Sequence, residues 1–197
     1  MKEFFKELKN HVMTGVSYMI PAVTVGGVCI AFALATGKAG ANGMEVTNAF
    51  WANINTIGGA AIGFMCPMLA GYIAYSIAGR PGLLPGMTMG YLANNAIGSG
   101  EVKTGFLGAM ILGICAGYLA KWVKGWNVPK FLKAIMPILI IPIVTTVIVG
   151  LGYIYILANP LGGVVNALTN GLNSLSGGST VILAIAIGCM IAFDMGG

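Results

Sequence analysis

Charge is what this chain has least of. Only 8% of its 197 residues are Asp, Glu, Lys or Arg, whereas a soluble domain carries about a quarter. Apolar types make up 57% and the mean hydropathy is +0.90. No charged residue occurs from Thr47 to Gly79, nor from Ala134 to Phe193. A soluble core needs no uncharged runs of that length, whereas bilayer-spanning helices of about 20 apolar residues need little else. Histidine is nearly missing too, since His11 is alone. The four cysteines, Cys29, Cys66, Cys115 and Cys189, stand singly in apolar segments without CxxC spacing, so they read as buried inert thiols and not as a metal site. There is no phosphate-binding glycine loop ending in Lys-Ser or Lys-Thr and no acid pair, which excludes an ATP motor and a carboxylate hydrolase. No cofactor is expected.

What is abundant is glycine, 31 residues, with 8 prolines. Both would harm an ordinary soluble helical bundle. In a membrane, small residues let helices approach closely and breaks are tolerated around cavities. The fold class is therefore an all-α integral membrane protein, with about six crossings, short interfacial helices and glycine-rich packing. The formal net charge of +5 is gathered in lysine clusters flanking apolar segments, which is the positive-inside pattern. Nucleic acid is not an expected partner, because no basic and aromatic surface is interleaved.

Residues 1–12 place Phe4, Phe5, Leu8 and Val12 on one helical face and Lys2, Glu3, Lys6, Glu7 and Lys9 on the other, an interfacial amphipathic helix on the cytoplasmic side. A signal peptide is rejected, since the apolar stretch before Ala33-Leu34-Ala35 is too long and contains Pro21, Gly26 and Gly27. Spans are expected over about 13–36, 47–78, 82–100, 104–121 and 136–158, with a neutral outer loop at 38–45 and a cytoplasmic interfacial helix at 129–135. The 47–78 segment, holding Gly58, Gly59, Gly63 and Pro67, is expected to kink or to begin with an interfacial piece. The 82–100 segment is short and carries Asn94 and Asn95. It either crosses outward as a polar cavity wall or re-enters, and re-entry would contradict the lysine pattern.

Gly105, Ala109, Gly113 and Gly117 repeat every four residues, a close-packing seam. Asn159-Pro160 should end the 136–158 span outside. Residues 161–176 then divide into an apolar face (Val165, Leu168, Leu172, Leu175) and an Asn166, Asn170, Asn173 face. The unit 159–197 is thus an outer amphipathic segment followed by a final descending span, and 13–158 is a separate transmembrane unit.

That final stretch, Ser179 to Phe193, covers ~22 Å as a helix before Asp194, less than the ~30 Å hydrocarbon thickness. Asp194 then either lines a cavity, caps the following helix or pairs within the bundle. Gly196 and Gly197 beside it read as a helix break. Arg80, Lys121, Lys124, Lys130 and Lys133 form a positive inner rim for lipid headgroups or an acidic cytosolic partner. His11 reads as an interfacial side chain in preference to a proton or phosphoryl carrier. Physical reading alone ends at a transporter of a small neutral solute.

Several motifs, in order, carry a resemblance. They are Thr14-Gly15-Val16-Ser17-Tyr18-Met19-Ile20-Pro21 with Gly26-Gly27, then Ala70-Gly71-Tyr72 through Ser76-Ile77-Ala78-Gly79-Arg80-Pro81-Gly82, and Pro85-Gly86. Gly105-Phe106-Leu107-Gly108, Ala116-Gly117-Tyr118, Pro137-Ile138-Leu139-Ile140-Ile141-Pro142 and Phe193-Asp194-Met195-Gly196-Gly197 follow. Together they resemble the N-terminal part of the fructose-family membrane component, enzyme IIC, of the bacterial phosphoenolpyruvate-dependent sugar phosphotransferase system. One departure is Gly79, where an acid often precedes Arg-Pro-Gly.

The resemblance implies uptake of fructose or a related sugar coupled to its phosphorylation by a cytosolic IIB phosphocysteine domain. It implies no phosphorylated residue and no catalytic residue in this chain, a bacterial inner-membrane location with a cytoplasmic N-terminus, and a homodimer. It also implies that this part is a scaffold and dimerisation domain, with most sugar-binding residues downstream. Asp194, Asn94 and Asn95 are the candidate sugar contacts, with Asp194 alternatively holding the loop that follows. An ion-coupled secondary transporter and a purely structural scaffold are the alternatives.

Overall fold

The computed structural model describes residues 2–40, 43–95, 103–126, 129, 133, 135–176, 184–185 and 188. Asp194, Gly196, Gly197, Lys130 and Cys189 lie outside them, as does most of the interfacial helix expected at 129–135.

The first helix, α1 (Lys2–Ala35), is one continuous rod through the boundary expected near residue 12. The amphipathic turn rides on the span because apolar positions continue without a breaker, and Pro21 is accommodated inside the helix. The segment expected as a loop at 38–45 holds a small antiparallel pair, β1 (Lys38–Gly40) with β2 (Gly43–Glu45), in which Lys38 is opposite Glu45.

Helix α2 (Ala49–Gly63) starts on an Asn48 cap, whose side chain accepts from the Phe50 N–H at 2.9 Å. It stops at Phe64, and α3 (Met65–Ala78) begins at once. The break falls where expected, and Pro67 supplies the reason: it has no N–H to give the Gly63 carbonyl four residues back.

Gly79, at φ +81°, turns the chain back into α4 (Arg80–Asn94), and Pro81 at the start suits a first helical turn. Helix α5 (Gly105–Lys124) follows. The last stretch begins with a π-helical turn, π1 (Met136–Ile140), and continues as α6 (Ile141–Gly152). A second π turn, π2 (Tyr153–Leu157), leads into α7 (Ala158–Ser176).

The expected stop at Asn159-Pro160 is a correction, since the helix runs through it. A proline ring clashes with the carbonyl four residues earlier, and the wider π turn just before Pro160 relieves that clash, so the helix continues. Residues 159–176 are therefore the continuation of the preceding span and not a separate outer segment. Leu161 and Val165 are half-buried on one side of α7, and Asn166 and Asn170 are exposed.

Among the described residues, four helical stretches are long and apolar enough to cross a bilayer. They are Glu3–Ala35, Ala49–Ala78, Gly105–Lys124 and Met136–Gly171.

The directions follow from glycine contacts. A Cβ on Gly15 would lie 2.5 Å from Ile73 and 2.7 Å from the Leu69 carbonyl, and one on Gly26 would lie 2.8 Å from the Gly58 carbonyl. α1 is thus antiparallel to α2 and α3. Gly82, Gly86 and Gly90 meet Ala74, Ala70 and Cys66 in turn, so α4 is antiparallel to α3. Gly113 faces Ala70 and Gly117 faces Ala74 and Ile77, so α5 runs parallel to α3. Around α3 sits the main core, with Leu69, Ile73, Met89, Leu112 and Tyr153 fully buried.

Gly90→Ala should destabilise the protein by about 1–3 kcal/mol, because the added Cβ collides with the backbone of Cys66 and Pro67. Gly59→Ala, in open space, should be neutral or slightly stabilising. Thermal unfolding of both variants in detergent checks the contrast.

Candidate functional site

The basic rim forms where the starts of α1, α4 and π1 meet the ends of α3 and α5. His11 Nδ1 lies 2.7 Å from Ser76 Oγ, and the Phe4 and Tyr118 rings are 6.1 Å apart, which brings the start of α1 to the ends of α3 and α5. The Lys124 ammonium donates to the Ala78 carbonyl at 3.3 Å, satisfying the end of α3 with a charge from α5. Met136 packs with Ala78, Ala120 and Val123, so the last helix starts at the same end. Lys6, Lys9, Arg80, Lys121, Lys124 and Lys133 are all exposed. All but Lys133, three residues before Met136, belong to elements that meet at that end of the bundle. Trp122 and Trp126 pack edge to face, ring centroids 5.1 Å apart, beside those lysines. Lys38 and Lys103 belong to the opposite end.

His11, read from sequence as merely interfacial, is in fact a cross-helix hydrogen-bond partner. Its ring is half-buried between α1 and α3, and the stacked Tyr18 and Tyr72, 4.0 Å apart, continue that seam. Among the described residues no acid is bonded to the His11–Ser76 pair.

Asn94 and Asn95 lie at the other end of α4, ~21 Å from Arg80 along the helix. They do different things. Asn95 is extended (φ −107°, ψ 146°), and both its backbone N–H (3.2 Å) and its side-chain amide (2.8 Å) donate to the Tyr91 carbonyl. Asn95 is therefore the C-terminal cap of α4. Among the described residues the Asn94 carboxamide has no hydrogen-bond partner, and it is only half-buried.

Both line a cleft of about 290 Å³ between the α2–α3 break and the end of α4, together with Ala60, Gly63, Phe64, Pro67 and Tyr91. Tyr91 shares the Asn94/Asn95 face at three- and four-residue spacing and was legible in the sequence. Phe64 and Gly63 reach the cleft only through the fold.

A second, apolar crevice of about 270 Å³ lies between α5 and α7, bounded by Leu107, Ile111, Leu161 and Val165. Beside it Tyr153, fully buried, is 2.9 Å from Thr104 Oγ1, pinning the π2 turn to the residue before α5. Among the described residues no group of three His, Cys, Asp or Glu could hold a metal.

Tyr153→Phe should lower stability by about 1 kcal/mol, since Thr104 would keep only its 3.4 Å contact to the Ala93 carbonyl. A double-mutant cycle with Thr104→Val, read by thermal unfolding, should show the two losses to be non-additive.

Residues 13–197 match the family described as Phosphotransferase system, EIIC. The chain is 38% identical, over its whole length, to the PTS system fructose-specific EIIC component of Haloferax volcanii, covering 56% of that protein. It is 41% identical, again over its whole length, to Fructose-like permease IIC component 2 of Escherichia coli, covering 54% of it. Over 95% of this chain it is 39% identical to the PTS system fructose-specific EIIABC component of Bacillus subtilis, covering 29% of it. The chain thus spans about half the length, or less, of these curated relatives. No solved structure matches it.

Proposed function

This chain belongs to the phosphotransferase system EIIC family, and from that premise we propose that it is the membrane-embedded part of a permease for fructose or a related sugar. Uptake is coupled to phosphorylation by a cytosolic IIB domain. The observation that carries the reading is the gathering of Lys6, Lys9, Arg80, Lys121 and Lys124 at one end of an apolar bundle. A charged face of that kind suits the cytoplasmic side and an acidic or phosphorylated partner. The EIIABC name of the Bacillus subtilis relative joins A, B and C units in one protein, which supports a IIB partner here.

In the coupled step a sugar hydroxyl attacks the phosphoryl group on the IIB cysteine. The P–S bond breaks, a P–O bond forms, the hydroxyl proton leaves and a thiolate remains. This chain's share is to hold the sugar, orient it and exclude water. Residues 13–158 serve as the scaffold and dimerisation domain. Exposed Gly27 and Gly59, with open space where a Cβ would be, offer small-residue positions at which a second copy can pack. Six crossings follow if α4 serves as a short fifth span and 179–193 as a sixth. The N-terminus is then cytoplasmic. Asp194 at the end of that sixth span and Asn94 at the end of α4 are the candidate sugar contacts, at opposite ends of the bundle, with Asn95 beside Asn94 as the cap of α4. Gly196 and Gly197 break the helix beside Asp194.

Right-side-out vesicles supplied internally with phosphoenolpyruvate and the soluble phosphotransferase proteins should accumulate fructose phosphate and not free fructose. Free fructose driven by an ion gradient would replace this reading with an ion-coupled transporter. Fructose binding by residues 1–197 alone would show that this part is more than a scaffold. The triple variant R80E/K121E/K124E should raise the KM for phosphorylated IIB about 5- to 30-fold, most strongly at low salt.

A further inference from the structure

We propose that the cleft between Phe64 and Asn94 is an outer encounter site that receives a hexose before it reaches the transport site. The inference rests on the permease reading above and adds place, residues and stage to it.

The cleft's chemistry matches a sugar on two sides. Phe64 is 62% exposed and Tyr91 59% exposed, and both line it, so two aromatic rings are available to the apolar C–H face of a pyranose or furanose. The polar contribution comes from Asn94, whose carboxamide offers donors and an acceptor and has no partner among the described residues. Gly63 also lines the cleft, and its carbonyl cannot receive the α-helical bond from position 67 because that residue is Pro67. Asn95, which also lines the cleft, is already committed to capping α4 through the Tyr91 carbonyl. A volume of about 290 Å³ is at the small end of ligand cavities, suited to a monosaccharide and not to a larger glycan.

Position gives the stage. Asn94 lies ~21 Å along α4 from Arg80, toward the face opposite the basic rim and well into a ~30 Å hydrocarbon layer. An unpartnered carboxamide at that depth is costly unless water or a hydroxylated ligand meets it. Phosphoryl transfer belongs to the basic end, so a sugar held here cannot be the one phosphorylated. It is the one arriving.

The test is fructose uptake by right-side-out vesicles energised with phosphoenolpyruvate. Tyr91→Ala and Asn94→Ala should each raise the KM for external fructose about tenfold with kcat unchanged. Tyr91→Phe, which keeps the ring, should behave as wild type. An unchanged KM in both alanine variants, with wild-type uptake dependent on phosphoenolpyruvate, overturns the encounter site and leaves the permease reading standing. Wild-type uptake independent of phosphoenolpyruvate overturns the permease reading instead.

If the alanine variants fail to insert, Asn94→Cys in a background with Cys29, Cys66, Cys115 and Cys189 replaced by Ala gives a second readout. External, membrane-impermeant maleimide should label it, and fructose should slow the labelling several-fold. No labelling, or labelling indifferent to fructose, overturns the proposal.

Discussion

The bundle depends on backbone-to-backbone contact around α3. In a bilayer, apolar side chains gain little by leaving lipid for one another, so helices associate through dispersion contacts made at short range. α3 is approached this way from three directions: by Gly15 of α1, by Gly82, Gly86 and Gly90 of α4, and by Gly113 and Gly117 of α5. At each of these points a single added carbon would meet backbone or a fixed side chain. The small residues of α3 itself, Ala70 and Ala74, are fully buried in consequence.

That packing sets the polarity of the molecule. Once α4 is antiparallel to α3 and α5 runs back alongside it, the ends of α3 and α5 and the starts of α1 and α4 coincide, and their basic residues with them. The opposite end collects what the helices leave over: the Phe64 break, the Asn95 cap and the buried Thr104–Tyr153 pair. The two ends therefore differ in charge and in side-chain chemistry, and the glycine contacts keep them apart.

The two π turns show a related economy. Prolines at 137, 142 and 160 would each be expected to end or kink a helix, and the one at Asn159-Pro160 reads in sequence as a stop. A π turn adds a residue to the ring of hydrogen bonds, and one such turn contains Pro137 and leads directly to Pro142 while the other stands before Pro160. The helix therefore persists from Met136 to Ser176, and Tyr153 in the second π turn is turned fully into the core.

The sequence by itself determined the solvent and the class. Uncharged runs from Thr47 to Gly79 and from Ala134 to Phe193 admit only membrane helices, because burial in lipid needs length and apolarity and nothing about partners. It also marked the α2–α3 break, since the lack of an N–H at Pro67 is a local fact. Which helix faces which depended on several glycines meeting a common neighbour, and no single segment records that. The fate of Pro160 depended on register changes upstream of it. The split between Asn94 and Asn95, one free and one spent as a cap, was decided only by where α4 stops and what Phe64 brings across to meet it. Two adjacent, chemically identical side chains differ in role only through the backbone geometry that follows each of them.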